Sequence, residues 1–283
     1  MSGVWVWTLD PFQLLPLAVA AGMYAKRAHT LRSRGRGVPL GRQGAFYAGI
    51  ALLLAAFVTP IDHIGEERLL FVHMIQHILI GDLAAVLVVV GLTGPVLRPI
   101  LALPYVGRLR VLAHPLVALP LWVLNLYIWH LPPLYEGALA SDPVHALQHV
   151  LFFTAGALMW SALLEPLPGP AWFGAGWKVL YIVAVRLFEA VLANVFIWSG
   201  EAFYSPYAEA PRLWDVGAVQ DQSIGGLIMM IEGSLVTFGA FAWLFLRWMS
   251  EGEARERLIE GGMDPERAAR TVRYRRGDGV AER

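Results

Sequence analysis

The stretch from Leu69 to Gly94, "LLFVHMIQHILIGDLAAVLVVVGLTG", decides the fold. It is almost wholly apolar and exceeds the roughly 20 residues that a helix needs to cross about 30 Å of hydrocarbon. Similar apolar segments recur along the 283-residue chain, in which 57% of residues are hydrophobic and only 16% are charged. Soluble domains carry about 25% charged residues. The sequence therefore predicts an all-α, polytopic membrane helix bundle.

Apolar runs of membrane-spanning length divide the chain. We predict seven transmembrane helices, at residues 11–25, 44–61, 69–92, 115–131, 144–164, 177–198 and 222–247. They form one membrane domain over residues 1–250. Residues 251–283 are predicted to be a basic, partly helical cytoplasmic tail, either in solvent or against the anionic surface of the lipid bilayer.

The basic residues indicate an orientation. With seven spans, the loops after spans 1, 3 and 5 hold six, three and one Lys or Arg residues, and the tail from Arg247 holds nine, so 19 of the 22 lie on one side. Lys and Arg accumulate in cytoplasmic loops. In a bacterial cell membrane, the N-terminus is therefore expected on the outer side and the C-terminus in the cytoplasm. No nucleic-acid partner is predicted.

Histidines gather toward the predicted outer side. His73 and His77 lie in the first turns of span 3, and His145 and His149 repeat the same spacing at the start of span 5. His130 ends span 4 on the same side. Residues four apart share a helix face, so each pair presents two imidazoles in one direction. A lone histidine in a helix is more often a packing residue, but two pairs at one depth favour a metal or haem site.

The chain has no cysteine, so a metal ion would be held by imidazole, thioether or carboxylate groups. We predict copper, as Cu⁺ or Cu²⁺, with the five histidines His73, His77, His130, His145 and His149 as ligands. Haem b is ranked second.

Other polar or soft side chains lie level with or below the histidines. Asp221 and Gln222 open span 7, and Asp221 either orients a ligand imidazole or caps span 7. Met230 and Met74 are candidate soft ligands or, as is more usual, core filler. The pair Gly225 and Gly226 predicts close helix approach.

Charged residues are expected at mid-membrane depth. Arg186 and Glu189, three residues apart, are predicted to pair on one helix face. Asp82 and Glu232 need a partner or a proton, because an isolated charge in the membrane is costly. A structural clamp is the favoured role of all four, and a proton or ion path is the alternative.

Four motifs in order, "HMIQHILI", "WHLPPLYEGAL", "VHALQHVLFFTAGALMW" and "DQSIGGLIMM", resemble the CtaG family of bacterial cytochrome c oxidase assembly proteins, the type associated with caa-class oxidases. The similarity covers roughly residues 40–250. It implies a seven-helix membrane protein needed to mature the copper centres of haem–copper oxidases. The matching positions are His73, His77, His130, His145, His149, Asp221, Gln222, Gly225, Gly226 and Met230.

The leading hypothesis is a non-enzymatic assembly factor that binds copper at its outer side and passes it to a cytochrome c oxidase subunit; a homo-oligomer is left open. One alternative is electron transfer through bis-histidine haem b, and another is a copper permease. A membrane metalloenzyme is disfavoured, because the residues inside the histidine pairs are Met-Ile-Gln and Ala-Leu-Gln, with no glutamate as in His-Glu-x-x-His.

Overall fold

The computed structural model describes residues 4–275 and contains helices and no strands over that range, with 79% helix. Residues 1–3, and residues 276–283 of the predicted tail, lie outside the described residues. The helices, in chain order, are α1 Pro11–Ser33, α2 Leu40–Val58, α3 Ile61–Glu67, α4 Leu70–Gly91, α5 Gly94–Leu101, α6 Val106–Ala113, α7 Pro115–Trp129, α8 Pro132–Leu139, α9 Asp142–Leu164, α10 Ala175–Trp198, α11 Ser205–Glu209, α12 Ala218–Glu260 and α13 Pro265–Arg275.

Proline and short polar side chains begin several of these helices. Proline occupies the first turn of α1, where Asp10 also accepts a hydrogen bond from the backbone N–H of Phe12. Proline likewise opens α7, where the His114 ring accepts from the N–H of Leu116. Proline suits this position because its fixed φ matches the helix and its missing N–H would have no partner there.

Five helices are long and apolar enough to cross a membrane: α2, α4, α9, α10 and α12. The pair α6 and α7, bent by 78° between them, makes a sixth if it counts as one span. Helix α1 covers the predicted first span, but it continues into a basic segment and does not reach the same apolarity. The all-helical prediction is thus confirmed with five or six candidate spans, and the seventh span and the orientation stay predictions.

Helix α4 lies at the centre of the bundle, in contact with α2, α3, α9 and α12. Of the apolar window of α4, 56% is buried within the protein, against 17% for α12. A π-helical turn, Leu79–Ala84, interrupts α4 near its middle. Such turns insert one extra residue into a helix and are frequent at functional sites.

Short helices cover the end of the bundle where α4 begins. Helix α3 packs on α4, and α8 and α11 bring Tyr135 and Tyr207 against the first turns of α4. At the opposite end, arginines bind the junction of α4 and α5: Arg42 donates to the carbonyl of Val90 in the last turn of α4 (2.9 Å), and Arg27 donates to that of Pro95 in the first turn of α5 (2.6 Å).

Helix α12 continues without interruption to Glu260, so the predicted boundary at residue 250 falls within a single helix. The following helix, α13, packs back on α12. The described part of the predicted tail is therefore helical.

Candidate metal centre

Four imidazoles from α4 and α9 meet at one point. One nitrogen from each of the four rings lies within 4.8 Å of every other. All four side chains are buried, with exposed fractions of 1–6%. The residues of this group, named the four-histidine group below, are His73, His77, His145 and His149.

Glycines bring the two helices close enough for this meeting. A Cβ added at Gly156 of α9 would overlap the carbonyl oxygen of Gly81 in the π-helical turn of α4. Small residues at helix crossings let backbones approach closely in membranes. The crossing lies just below both histidine pairs, and the ring centroids of His73 and His145 are consequently 5.2 Å apart.

The α4 pair is fixed by a tyrosine. The Nδ1 of His73 lies 2.8 Å from the hydroxyl of Tyr207, and that hydroxyl donates its proton to the carbonyl of Gly65 (2.7 Å). The Tyr207 oxygen must then accept from His73, so His73 carries its proton on Nδ1. Its Nε2, 2.8 Å from the Nε2 of His77, is left as the metal-facing atom. Hydrogen bonds of this kind set the tautomer of metal-binding histidines.

The α9 pair is fixed by a carboxylate. The Nδ1 of His145 donates to Glu66 of α3 at 2.6 Å. The Nε2 atoms of His145 and His149 are buried and have no hydrogen-bond partner among the described residues. Buried polar atoms without partners are costly, and nitrogens that converge in this state are suited to binding an ion.

Around an ion with metal–nitrogen bonds of about 2.0–2.1 Å, as for zinc, ligand nitrogens lie about 2.9–3.4 Å apart. The spacing within the four-histidine group therefore needs only small ring shifts to hold one ion. Imidazole nitrogens suit copper and zinc. Among the described residues, no carboxylate joins the four imidazoles as a further direct donor, since Glu66 contacts the far nitrogen of His145.

A layer of buried tyrosines separates the group from solvent. Tyr135 stacks on Tyr204 with ring centroids 4.0 Å apart, and Tyr207 lies beside both. Burial raises the pKa of the Tyr135 and Tyr207 phenols well above its usual value, so both stay protonated. Protonated hydroxyls preserve the hydrogen bond that orients His73.

His130 does not join the four-histidine group. Its ring centroid lies 6.3 Å from that of His77, and its Nδ1 donates to the carbonyl of Leu126 at 2.6 Å. Its Nε2 is buried without a partner within residues 4–275. His130, the fifth predicted ligand, therefore lies beside the four-histidine group and deeper in the bundle.

Asp221 caps a helix, but not its own. Its carboxylate accepts from the backbone N–H groups of Leu70 and Phe71, at 2.8 and 2.9 Å, and so caps α4 from α12. The first N–H groups of a helix lack intrahelical partners, and a carboxylate there also complements the helix dipole. Asp221 thus positions the helix that carries His73 and His77.

Of the other predicted supporting residues, Gln222 and Met230 contact other parts of the protein, and Met74 lies beside the imidazoles. Gln222 binds the 199–203 loop, through Ser199, Glu201 and Phe203. The sulfur of Met230 lies 3.4 Å from Arg186. Met74 is buried next to His73 and packs against Gly225.

The mid-membrane charges form a separate cluster. Arg186 pairs with Glu189 at 3.3 Å, as predicted from the spacing, and donates to the carbonyl of Met230 at 2.7 Å. Asp82 accepts a 2.5 Å hydrogen bond from the Trp160 indole and interacts with Glu232. These contacts fit the predicted structural clamp.

Sequence reasoning missed the contribution of α3. Its residues Asp62 and Glu66 lie one turn apart, and Asp62 accepts from the Gln76 amide at 2.6 Å. Gly65 lets α3 approach α4, because a Cβ there would lie 3.0 Å from the backbone of His73. The signal was present as "DHIGEE", two carboxylates four residues apart beside the histidine-bearing helix.

A profile of the cytochrome c oxidase caa3 assembly factor family, CtaG, matches residues 22–251. The chain belongs to this family. The match spans all four histidines of the group and confirms the resemblance carried by the sequence motifs.

Curated relatives are mycobacterial. The CtaG-family chain is 25% identical over 262 residues to uncharacterized proteins of Mycobacterium bovis and Mycobacterium tuberculosis, and 23% identical over 263 residues to one of Mycobacterium leprae. The alignments cover 86% of this chain but only 39% of each relative. No solved structure matches the chain.

Proposed function

We propose that this CtaG-family protein binds copper through the four-histidine group and assists the maturation of a copper centre in a haem–copper cytochrome c oxidase. Copper is its cargo, and an oxidase subunit is its partner. One observation carries the proposal: four buried imidazoles converge within 4.8 Å, with the outward nitrogens of His73 and His145 tied to Tyr207 and Glu66.

The charge asymmetry of the sequence supports an extracytoplasmic position for the group. The bundle end opposite the histidines is the one where Arg27 and Arg42 bind the junction of α4 and α5. If basic ends face the cytoplasm, the histidines face the other side of a bacterial cell membrane. We extend this to seven spans, with α1 as the first, and to a 1–250 membrane domain followed by a cytoplasmic tail.

A binding role is favoured over catalysis. The four inward donors are imidazoles, and the nearby carboxylates of Glu66 and Asp62 are engaged with His145 and Gln76. No free carboxylate within the described residues adjoins the group as a general base for a metal-bound water. A relay that binds and releases an ion needs no such base.

The compactness of the group favours an ion over haem b. In a bis-histidine haem, one imidazole lies on each face of the macrocycle. Here the rings of His73 and His77 have centroids 4.3 Å apart, and those of His145 and His149 are 4.1 Å apart. The four rings leave no slot for a porphyrin between them.

Copper stoichiometry tests the proposal. Purified protein is loaded with Cu²⁺, desalted and assayed for copper per chain, for the wild type and for a His73→Ala, His145→Ala double variant. The double variant is expected to lose the ion of the four-histidine group, because it removes one ligand from each helix. A double variant that binds as much copper per chain as the wild type would contradict the proposal.

A matched control removes two histidines outside the group, His29 and His63, the second of which pairs with Glu67. This variant should keep its copper. Copper uptake into proteoliposomes would identify a permease instead of a surface relay.

A further inference from the structure

A small cavity lies below the four-histidine group. Its volume is about 60 Å³, and residues of helices α4, α7, α9, α10 and α12 line it. A water needs roughly 10–15 Å³ of such space, so the cavity has room for an ion. The lining includes two imidazoles, two thioethers and three carboxyl groups: His77, His130, Met74, Met229, Asp82, Glu189 and Glu232.

His130 has an unpartnered nitrogen at this cavity. The ring is 7% exposed, and its Nδ1 is committed to the Leu126 carbonyl at 2.6 Å. Because Nδ1 donates, the lone pair of the neutral ring is on Nε2. That Nε2 is buried with no hydrogen-bond partner in residues 4–275, and the Nδ1 of His77 is in the same condition. Unpartnered buried nitrogens at a cavity wall point to a ligand.

Two thioethers line the same cavity. Met74 of α4 is 1% exposed and Met229 of α12 is 4% exposed. Both side chains offer donors for a soft ion, since thioether ligands select Cu⁺ over harder divalent ions. The neighbouring Met230 differs, because its sulfur lies 3.4 Å from Arg186 and outside this lining.

Carboxyl groups supply the charge that a buried cation needs. Asp82 and Glu232 line the cavity, and the Oε1 of Glu232 is buried without a hydrogen-bond partner in the described part of the chain. A cation deep in a membrane protein is costly unless an opposite charge lies near it. The cavity therefore combines soft donors with compensating charge.

We propose that this cavity is a second, deeper copper site, specific for Cu⁺ and formed by His130 Nε2 and the thioethers of Met74 and Met229. Asp82 and Glu232 hydrogen-bond to each other and therefore share one proton, and their single negative charge balances that of Cu⁺. His77 lines this cavity and also belongs to the four-histidine group, so it lies between the two sites. The inference deepens the proposed function and rests on it for the identity of the metal.

The displaced position of His130 now has an explanation. It is buried and oriented like a ligand, yet its ring lies 6.3 Å from that of His77 and it is absent from the four-histidine group. Assignment to a site of its own accounts for both facts.

X-ray absorption at the copper edge tests the second site. Anaerobically Cu⁺-loaded wild-type protein should show sulfur as well as nitrogen scatterers and bind about two ions per chain, whereas Met229→Leu should lose the sulfur signal and bind about one. The matched control is Met230→Leu, one residue away, which should keep both. Leucine conserves volume, so the fold is expected to survive.

A His130→Ala variant gives an independent measurement. It should lose the same single Cu⁺ as Met229→Leu, while Cu²⁺ binding at the four-histidine group remains. Absence of sulfur scattering in the wild type, or equal loss in the Met229 and Met230 variants, would overturn the second site. If instead the four-histidine group does not bind copper, the His73→Ala, His145→Ala protein would bind as much Cu²⁺ as the wild type.

Discussion

The four-histidine group and the mid-membrane charge cluster are both buried and polar, but their hydrogen bonds differ. In the group, the outer nitrogens of His73 and His145 are held by Tyr207 and Glu66, while the inner Nε2 atoms of His145 and His149 lack partners among the described residues. In the cluster, Arg186 binds Glu189, backbone and Ser234. Satisfied groups stabilise a fold, whereas convergent groups without partners can bind a ligand. Substitutions in the charge cluster should therefore lower stability, and substitutions in the four-histidine group should weaken copper binding.

The largest effect on stability is expected from Arg186→Ala. Removing one partner of a buried ion pair leaves the Glu189 charge uncompensated and costs about 3–5 kcal/mol. Thermal unfolding in detergent measures the loss, and Cu²⁺ bound to the folded fraction should be unchanged. Arg212→Ala, at an exposed arginine that bonds only to the Ala208 carbonyl in the described structure, is the control. Loss of Cu²⁺ from folded Arg186→Ala would show that the two regions are coupled.

The next effect is a pH dependence at Asp62 of α3, between the apolar helices α2 and α4. Burial, and then the charge of Glu66, raises the Asp62 pKa from 3.8 to about 6. A raised carboxyl pKa means that the folded protein holds the proton more tightly, so stability declines as pH rises from about 4 to about 6 and then levels off. At 1.36 kcal/mol per pKa unit, the decline is about 3 kcal/mol.

Unfolding temperatures at pH 4.5 and 7 compare the wild type with Asp62→Asn, which keeps an acceptor for Gln76. The amide does not titrate, so this substitution should remove that part of the decline, whereas Glu67→Gln, at an exposed site, should not. An identical pH profile in the Asp62 variant would contradict the assignment.

Glu66→Gln should weaken copper binding with little change in stability. Loss of a carboxylate that orients a ligand imidazole typically costs 10–100-fold in metal affinity, here through His145. Competitive titration against a copper chelator measures it. The adjacent Glu67→Gln is the matched control, and equal affinities for the two variants would remove Glu66 from the site.

The smallest effect is expected from Tyr207→Phe. It removes the acceptor for His73 and the donor to Gly65, at about 1 kcal/mol for a hydrogen bond, or roughly fivefold in copper affinity. Tyr204→Phe, whose hydroxyl binds the His130 carbonyl, should leave Cu²⁺ affinity unchanged. Weaker Cu²⁺ binding by the Tyr204 variant than by the Tyr207 variant would reverse the roles given to these tyrosines.

Local patterns predicted much of this molecule. The apolar run from Leu69 onward fixed the position of α4 to within a residue, because length and hydropathy are properties of the segment itself. The spacing of His73 and His77 likewise predicted a shared helix face. That the two pairs meet depends on Gly81 and Gly156, whose contact joins residues far apart in sequence.

Contacts between elements far apart in the chain could not be predicted from the sequence. Asp221 was expected to act within span 7 or on an imidazole, and it caps α4 instead. Glu66 lies on a helix of seven residues, too short for an apolar signal. His130 was placed correctly at a helix end, but the tilt of that helix, which decides its distance from His77, is set by packing.

The π-helical turn of α4 has a consequence for how the protein tolerates change in length. A regular helix advances about 100° per residue, so residues five apart, such as His77 and Asp82, would point about 140° away from each other. The wider turn at Leu79–Ala84 lets both line one cavity. Deleting a single residue there would restore regular winding with His77 and Asp82 four residues apart, about 40° from each other and on one face, whereas inserting one more would swing the imidazoles about 100° relative to the other half of the helix. This segment should thus tolerate the loss of one residue, whereas the gain of one should abolish metal binding although every ligand is still present.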